Sequence, residues 1–141
     1  MFKIMMIVAA LLAATEGAFA NGHDSSPPPP PKDDGSSMPR ISATKHGLRL
    51  IDPKGMTLYY YDRDDSGNRS NCNDKCTEKW IPVAAPKNAE AKGDFTVITR
   101  GDGSKMWAYR YRPLYTSHAD DAPGAANGRD PEQHWHIARP E

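Results

Sequence analysis

Leu58-Tyr59-Tyr60-Tyr61-Asp62-Arg63-Asp64-Asp65 and Leu114-Tyr115-Thr116-Ser117-His118-Ala119-Asp120-Asp121 are two versions of one phrase. The Leu-Tyr and Asp-Asp pairs superpose without a gap. A glycine follows each pair (Gly67, Gly124) and a tryptophan closes each copy (Trp80, Trp135). A repeated phrase marks a repeated supersecondary unit, which buries its apolar face only against a neighbour. The expectation is a small single domain, mainly β, of two related hairpin-containing halves around an aromatic core.

The flanking sequence supports strands rather than helices. Apolar stripes at helical spacing are scarce, whereas short apolar runs bounded by turn residues are common. Leu48–Ile51 is one run, and Asp52-Pro53-Lys54-Gly55 is a turn with proline presetting φ. Met56–Tyr61 is expected to return as its partner strand. Phe95–Thr99 and Lys105–Tyr109 flank the tight reversal Gly101-Asp102-Gly103. Leu114-Tyr115 and His134–Ala138 complete the strands. One or two helical turns are expected over Asp74–Trp80, ended by Pro82 and Pro86. Side chains alternate along a strand, so Leu58 and Tyr60 face one way while Tyr59 and Tyr61 face the other. Both sets are apolar, so this strand is expected to be covered on both sides or buried at one end. Trp80, Trp107 and Trp135 are the expected core cluster. An exposed platform of Trp107, Tyr109, Tyr59 and Tyr61 is the competing, ligand-binding reading.

Upstream, Lys3, the apolar run Ile4–Ala14 and Ala18-Phe19-Ala20 read as a secretory signal over residues 1–20. That run is too short to cross a bilayer, so no stable membrane anchor is expected after cleavage. Residues 21–40, with prolines at 27–31, read as a disordered proline-rich spacer. The β-rich repeat domain is expected over 41–141. The formal net charge is zero and stays so after signal removal, which argues against a nucleic-acid partner. Cys72 and Cys76 are the only cysteines. In an exported protein they read most simply as a disulfide, closing a loop small enough to contribute about 2 kcal/mol.

Tyr59, Tyr61 and Asp64 spell Tyr-x-aromatic-x-x-Asp. With Gly55-Met-Thr-Leu-Tyr, Cys72 and Cys76 before Trp80 and Pro82, Trp107-Ala-Tyr109 before Pro113-Leu-Tyr115, Asp121-Ala-Pro-Gly124, Asn127-Gly128 and Trp135, the chain resembles a bacterial family. That family comprises predicted secreted proteins and lipoproteins, described as a secreted repeat of unknown function. The second copy keeps Tyr115 and Asp120 but has Ser117 where the signature has an aromatic. Tyr111 stands where that hairpin commonly has glycine, and the lipid-modified cysteine of many members is missing. The resemblance implies an exported repeat domain and carries no catalytic residues with it.

Several motifs suggest chemistry. Asp62, Asp64, Ser66 and Gly67 have the spacing of a half calcium loop, but Asn73 stands where a bidentate Glu is needed. A polar turn is the simpler reading. His134 and His136 are two apart on a strand and share a face, so they are candidate copper or zinc ligands with His118. The two cysteines have a copper-chaperone spacing, without its βαβ context. Asp64, Asp65, Asp120 and Asp121 are candidate acid–base carboxylates for a hydrolase. Arg100-Gly101-Asp102 matches an adhesion tripeptide and is also plain turn chemistry. No catalytic constellation and no cofactor is implied. The functional expectation is a periplasmic or secreted, non-enzymatic binding or structural module for an envelope protein or small ligand. The alternative is a periplasmic copper or zinc protein.

Overall fold

The computed structural model describes residues 37–64 and 68–141. The expected signal, most of the expected spacer, and Asp65, Ser66 and Gly67 lie outside the described residues. The strands are β1 (Arg40–Thr44), β2 (Gly47–Ile51), β3 (Tyr59–Tyr61), β4 (Trp80–Pro82), β5 (Phe95–Thr99), β6 (Lys105–Tyr109), β7 (Arg112–Pro113), β8 (Tyr115–Ser117) and β9 (Trp135–Ile137). They form three antiparallel sheets: β1-β2, β4-β8-β3-β9 and β5-β6-β7. The domain is thus mainly β, and β1 begins directly after the buried Pro39.

The central sheet explains why the phrase occurs twice. Its middle strands are the two Leu-Tyr phrases, β3 and β8, with Tyr59 opposite Tyr115. The outer strands are exchanged. β4 follows the first phrase but pairs with β8 (Trp80 opposite Ser117). β9 follows the second phrase but pairs with β3 (Tyr61 opposite Trp135). Each half therefore completes its sheet with a strand from the other, and neither can satisfy its backbone groups alone.

One face of this sheet carries the repeat's rings. Trp80 and Trp135 stack with centroids 3.8 Å apart and planes within 8°. Tyr59 meets Trp80 edge-on at 5.3 Å, and Tyr115 meets Trp135 edge-on at 5.1 Å. These are equivalent contacts about a pseudo-dyad. Each such pair contributes about 0.5–1.5 kcal/mol beyond the area it buries. The opposite face holds Leu50, Leu58, Val83, Trp107, Tyr109, Leu114 and Ala138. β3 thus has a cluster on each side and is most deeply buried at its Leu58-Tyr59 end, with Tyr60 and Tyr61 half-buried. The aromatic core itself is split: Trp107 belongs to the second cluster, away from the Trp80–Trp135 stack. The β5-β6 hairpin makes this split, because Trp107 and Tyr109 point into one cluster while Met106 and Ala108 point into the other.

Two local expectations are corrected. The partner of β2 is β1, upstream, through Ile41 opposite Leu50. The Asp52–Gly55 turn does form: the Gly55 N–H donates to Asp52 O at 3.0 Å, and Gly55 has φ 87°. The expected return against β2 forms over a short stretch only: around the Ile51–Thr57 bridge the Asp52 N–H donates to Met56 O and the Leu58 N–H to Leu50 O, both at 3.0 Å, before the chain enters the central sheet. Over 74–80, the helical piece is a single 3₁₀ stretch, Asp74–Glu78, and Trp80 already lies in β4. Pro82 is tolerated there because β4 is an edge strand, where a missing N–H faces outward.

Candidate functional site

The carboxylates and hydroxyls of the repeated phrase meet crosswise. The Tyr59 hydroxyl donates to Asp120 Oδ2 at 2.7 Å, and the Tyr115 hydroxyl donates to Asp64 Oδ2 at 2.8 Å. Each aspartate is also the anchor of its own loop. Asp64 Oδ1 accepts from the Asn71 N–H at 2.7 Å, and Asp120 Oδ1 accepts from the Asn127 N–H at 2.6 Å. The asparagine side chains close both loops on the carbonyls of Arg63 and Ala119. The remaining contacts of the hydroxyls differ. Tyr59 accepts from the Gly128 N–H at 3.1 Å, whereas Tyr115 Oη lies 2.6 Å from Ser70 Oγ. Arg100 in turn donates to Ser70 Oγ, Cys72 O and Asn73 Oδ1.

Burial dominates the electrostatics here. Both tyrosines are fully buried. Desolvation, reinforced by the facing carboxylate, pushes their ionisation well above the ordinary phenol value. Burial also raises the Asp64 carboxyl, against the opposing pull of the Asn71 N–H, the Tyr115 hydroxyl and Arg100. A tyrosine held neutral against a carboxylate is a fixed donor, and the carboxylate it serves is occupied. This arrangement joins the two halves through their side chains. Of the hydrolase candidates, Asp64 and Asp120 each accept from a tyrosine of the other half, Asp121 is exposed, and Asp65 lies outside the described residues.

The other candidates fall as follows. Cys72 and Cys76 form a disulfide, with Cα atoms 5.2 Å apart. Cys72 is buried in the first core cluster. Asp62 and Asp64 do not converge on a cation position, because Asp62 turns to the histidines instead. His134 Nδ1 and His136 Nε2 each lie 2.9 Å from one Asp62 carboxylate oxygen. The hydrogen bond from His136, followed by the charge of His134, holds Asp62 below the usual carboxylate range. His118 is not in this group; it lines a hollow with Lys79 and Trp80. Among the described residues, no group of three His, Cys, Asp or Glu side chains has a metal-holding arrangement. Trp107, Tyr109 and Tyr59 are buried and Tyr61 is half-buried, so they do not form one exposed platform. Arg100 is engaged by the Ser70–Asn73 segment while Gly101-Asp102 makes the β5-β6 reversal.

The most site-like hollow was not legible in the sequence. It has a volume of about 330 Å³ and lies between the β6-β7 turn and the segment after β9. Its floor is apolar, from Tyr60, Tyr109, Leu114 and Ile137, and its rim is basic, from Arg110, Arg112 and Arg139. Arg112 sits over the Tyr60 ring at 5.0 Å and Arg110 over the Tyr109 ring at 5.8 Å. Tyr60 also stacks on His136 at 5.1 Å. The β6-β7 turn consists of Arg110 and Tyr111, with φ of 47° and 67°. Such a turn is ordinarily built from Asn-Gly, and side-chain-bearing residues there carry strain. The only sequence signal was Tyr111 in a glycine position. A second hollow, lined by Met56, Ile81, Pro82 and His118, is larger at about 760 Å³ and more open, with less charge convergence.

The model of a family described as a secreted repeat of unknown function matches the chain twice, over residues 41–84 and 96–139. The first match ends after β4 and the second after β9, so each includes the strand that is exchanged. Neither a curated protein nor a solved structure matches the chain.

Proposed function

The chain belongs to this secreted-repeat family, and from that premise we propose that it is an exported, non-enzymatic module that binds a ligand or partner in the periplasm or outside the cell. One observation carries the reading: the tyrosines and aspartates of the repeated motif are each other's partners, Tyr59 with Asp120 and Tyr115 with Asp64. The residues that define the repeat are consumed in building it. What remains for function is the surface that the interlocked halves present. The disulfide supports an oxidising setting. The metal alternative has less support, because His134 and His136 share Asp62 and His118 lies elsewhere.

The test uses the mature chain. Thermal shifts against a panel of organic anions, sugars and short peptides are measured beside turnover of ester, glycoside and phosphate-monoester substrates. A binding module gives a saturable shift with at least one panel member and no turnover. Turnover that Asp64→Asn or Asp120→Asn abolishes in a still-folded protein would overturn the reading.

A further inference from the structure

The hollow beside the β6-β7 turn already holds a carboxylate. Glu141 Oε1 lies 3.2 Å from Arg112 Nη1, and Oε2 lies 3.9 Å from Arg110 Nη1. These ion pairs are solvent-exposed on both sides, and exposed pairs contribute little net free energy. Glu141 is therefore easily displaced, and without it every charged residue lining the hollow is an arginine.

The arginines are held ready for such an exchange. The guanidinium groups of Arg110 and Arg112 each lie over a tyrosine ring that also lines the hollow. Contact with a ring takes up a guanidinium face and leaves the in-plane N–H groups for an acceptor. Arg110 is further fixed by Asp94, whose Oδ1 lies 3.3 Å from its Nε, and Arg139 donates to the His46 and Leu48 carbonyls. Arg112 has no such second partner on its guanidinium among the described residues beyond Glu141 and the Tyr60 ring. Arg110 and Tyr111 both take left-handed backbone, which places Arg110 within the two-residue turn and Arg112 directly after it. The floor beneath them is apolar and includes two tyrosine rings, and the volume is at the small end for small-molecule sites.

Resting on the reading of this chain as a binding module, we propose that this hollow takes a small carboxylate carried on a flat apolar body. The carboxylate replaces that of Glu141 on Arg112 and Arg110. The body lies against the accessible parts of Tyr60, Tyr109 and Ile137. A free small acid and an acidic residue of a peptide share this chemistry, and the probes separate them.

The experiment titrates the mature chain at low salt with phenylacetate, its neutral isostere phenylacetamide, inorganic phosphate, and a short peptide with a Phe-Glu pair. Binding is read by calorimetry and by chemical shifts of Tyr60 and Ile137. Phenylacetate is expected to bind at least about tenfold tighter than phenylacetamide, the loss following from an unmade charged hydrogen bond. Glu141→Gln removes the internal competitor and tightens phenylacetate several-fold. Arg112→Gln weakens it about tenfold or more. Should Arg112→Gln disturb the fold, Glu141→Gln still decides, since it neutralises an exposed carboxylate without a change of shape. Stronger binding of the peptide than of phenylacetate assigns the acid to a polypeptide source. Equal binding of acid and amide, no tightening in Glu141→Gln, or phosphate binding as well as phenylacetate overturns the proposal. These failures leave the wider module reading standing, because that reading is decided by the ligand panel and the turnover assays.

Discussion

Tyr115→Phe should be far more costly than the loss of one hydroxyl on a surface. The hydroxyl is buried, donates to Asp64 Oδ2 at 2.8 Å and lies 2.6 Å from Ser70 Oγ. Its removal leaves Asp64 half-buried with the Asn71 N–H and a more distant Arg100 for compensation. Ser70 keeps Arg100 as a donor at 2.9 Å, so most of the cost falls on the carboxylate. A hydrogen bond to a charged group is worth about 1.5–3 kcal/mol. The expected destabilisation is about 2–3 kcal/mol, or roughly 10–20 °C in Tm for a domain of this size. Tyr59→Phe removes the equivalent bond to Asp120 and should cost a similar amount. The assay is urea unfolding of both single variants, with unchanged slope and lowered midpoint. Double-mutant cycles then locate the interaction. Tyr115 with Asp64→Ala and Tyr59 with Asp120→Ala should couple by about 1–3 kcal/mol, while Tyr59 with Asp64→Ala should be additive within about 0.5 kcal/mol. A cost below about 0.5 kcal/mol for Tyr115→Phe, or coupling within each half rather than between halves, would refute the crosswise lock.

Three further outcomes follow from the same geometry. Tyr59 and Tyr115 hold their protons more tightly folded than unfolded, so their contribution is complete below pH 10 and lost as pH rises above it. Unfolding free energies from urea titrations should fall by up to about 1.4 kcal/mol per pH unit per tyrosine above that point, and each Tyr→Phe variant should lose its share of the slope. A Cβ on Gly128 would stand 2.6 Å from Ser117 Cβ and 3.0 Å from the Trp80 ring. Gly128→Ala should therefore cost about 1–3 kcal/mol, and adding Ser117→Gly should restore most of it, read by thermal melting. Because β4 and β9 are exchanged between the halves, chains covering 37–90 and 91–141 should each lack β-sheet circular dichroism alone and gain it when mixed.

The features legible in the order of residues alone are periodic ones. The Leu-Tyr and Asp-Asp pairs recur at one spacing, so two equivalent units were readable without coordinates. The strand runs 48–51, 95–99 and 105–109 and the two turns near them were readable because turn residues and alternation act over a few positions. Asn71 and Asn127, which close the two loops, stand at the same distance from Asp64 and Asp120 and were findable by extending the repeat. Tertiary structure decided which strands pair. Nothing local in Trp80-Ile81-Pro82 says that its partner is Tyr115–Ser117, since pairing across halves depends on burying both tryptophans in one stack. The fate of each charge was decided there as well. Asp62, Asp64 and Asp120 are alike in sequence, but one meets two histidines and the others meet a tyrosine from the opposite half. The basic hollow joins residues 60, 109–114 and 137–141, which are distant along the chain and become neighbours only when β9 is laid against β3.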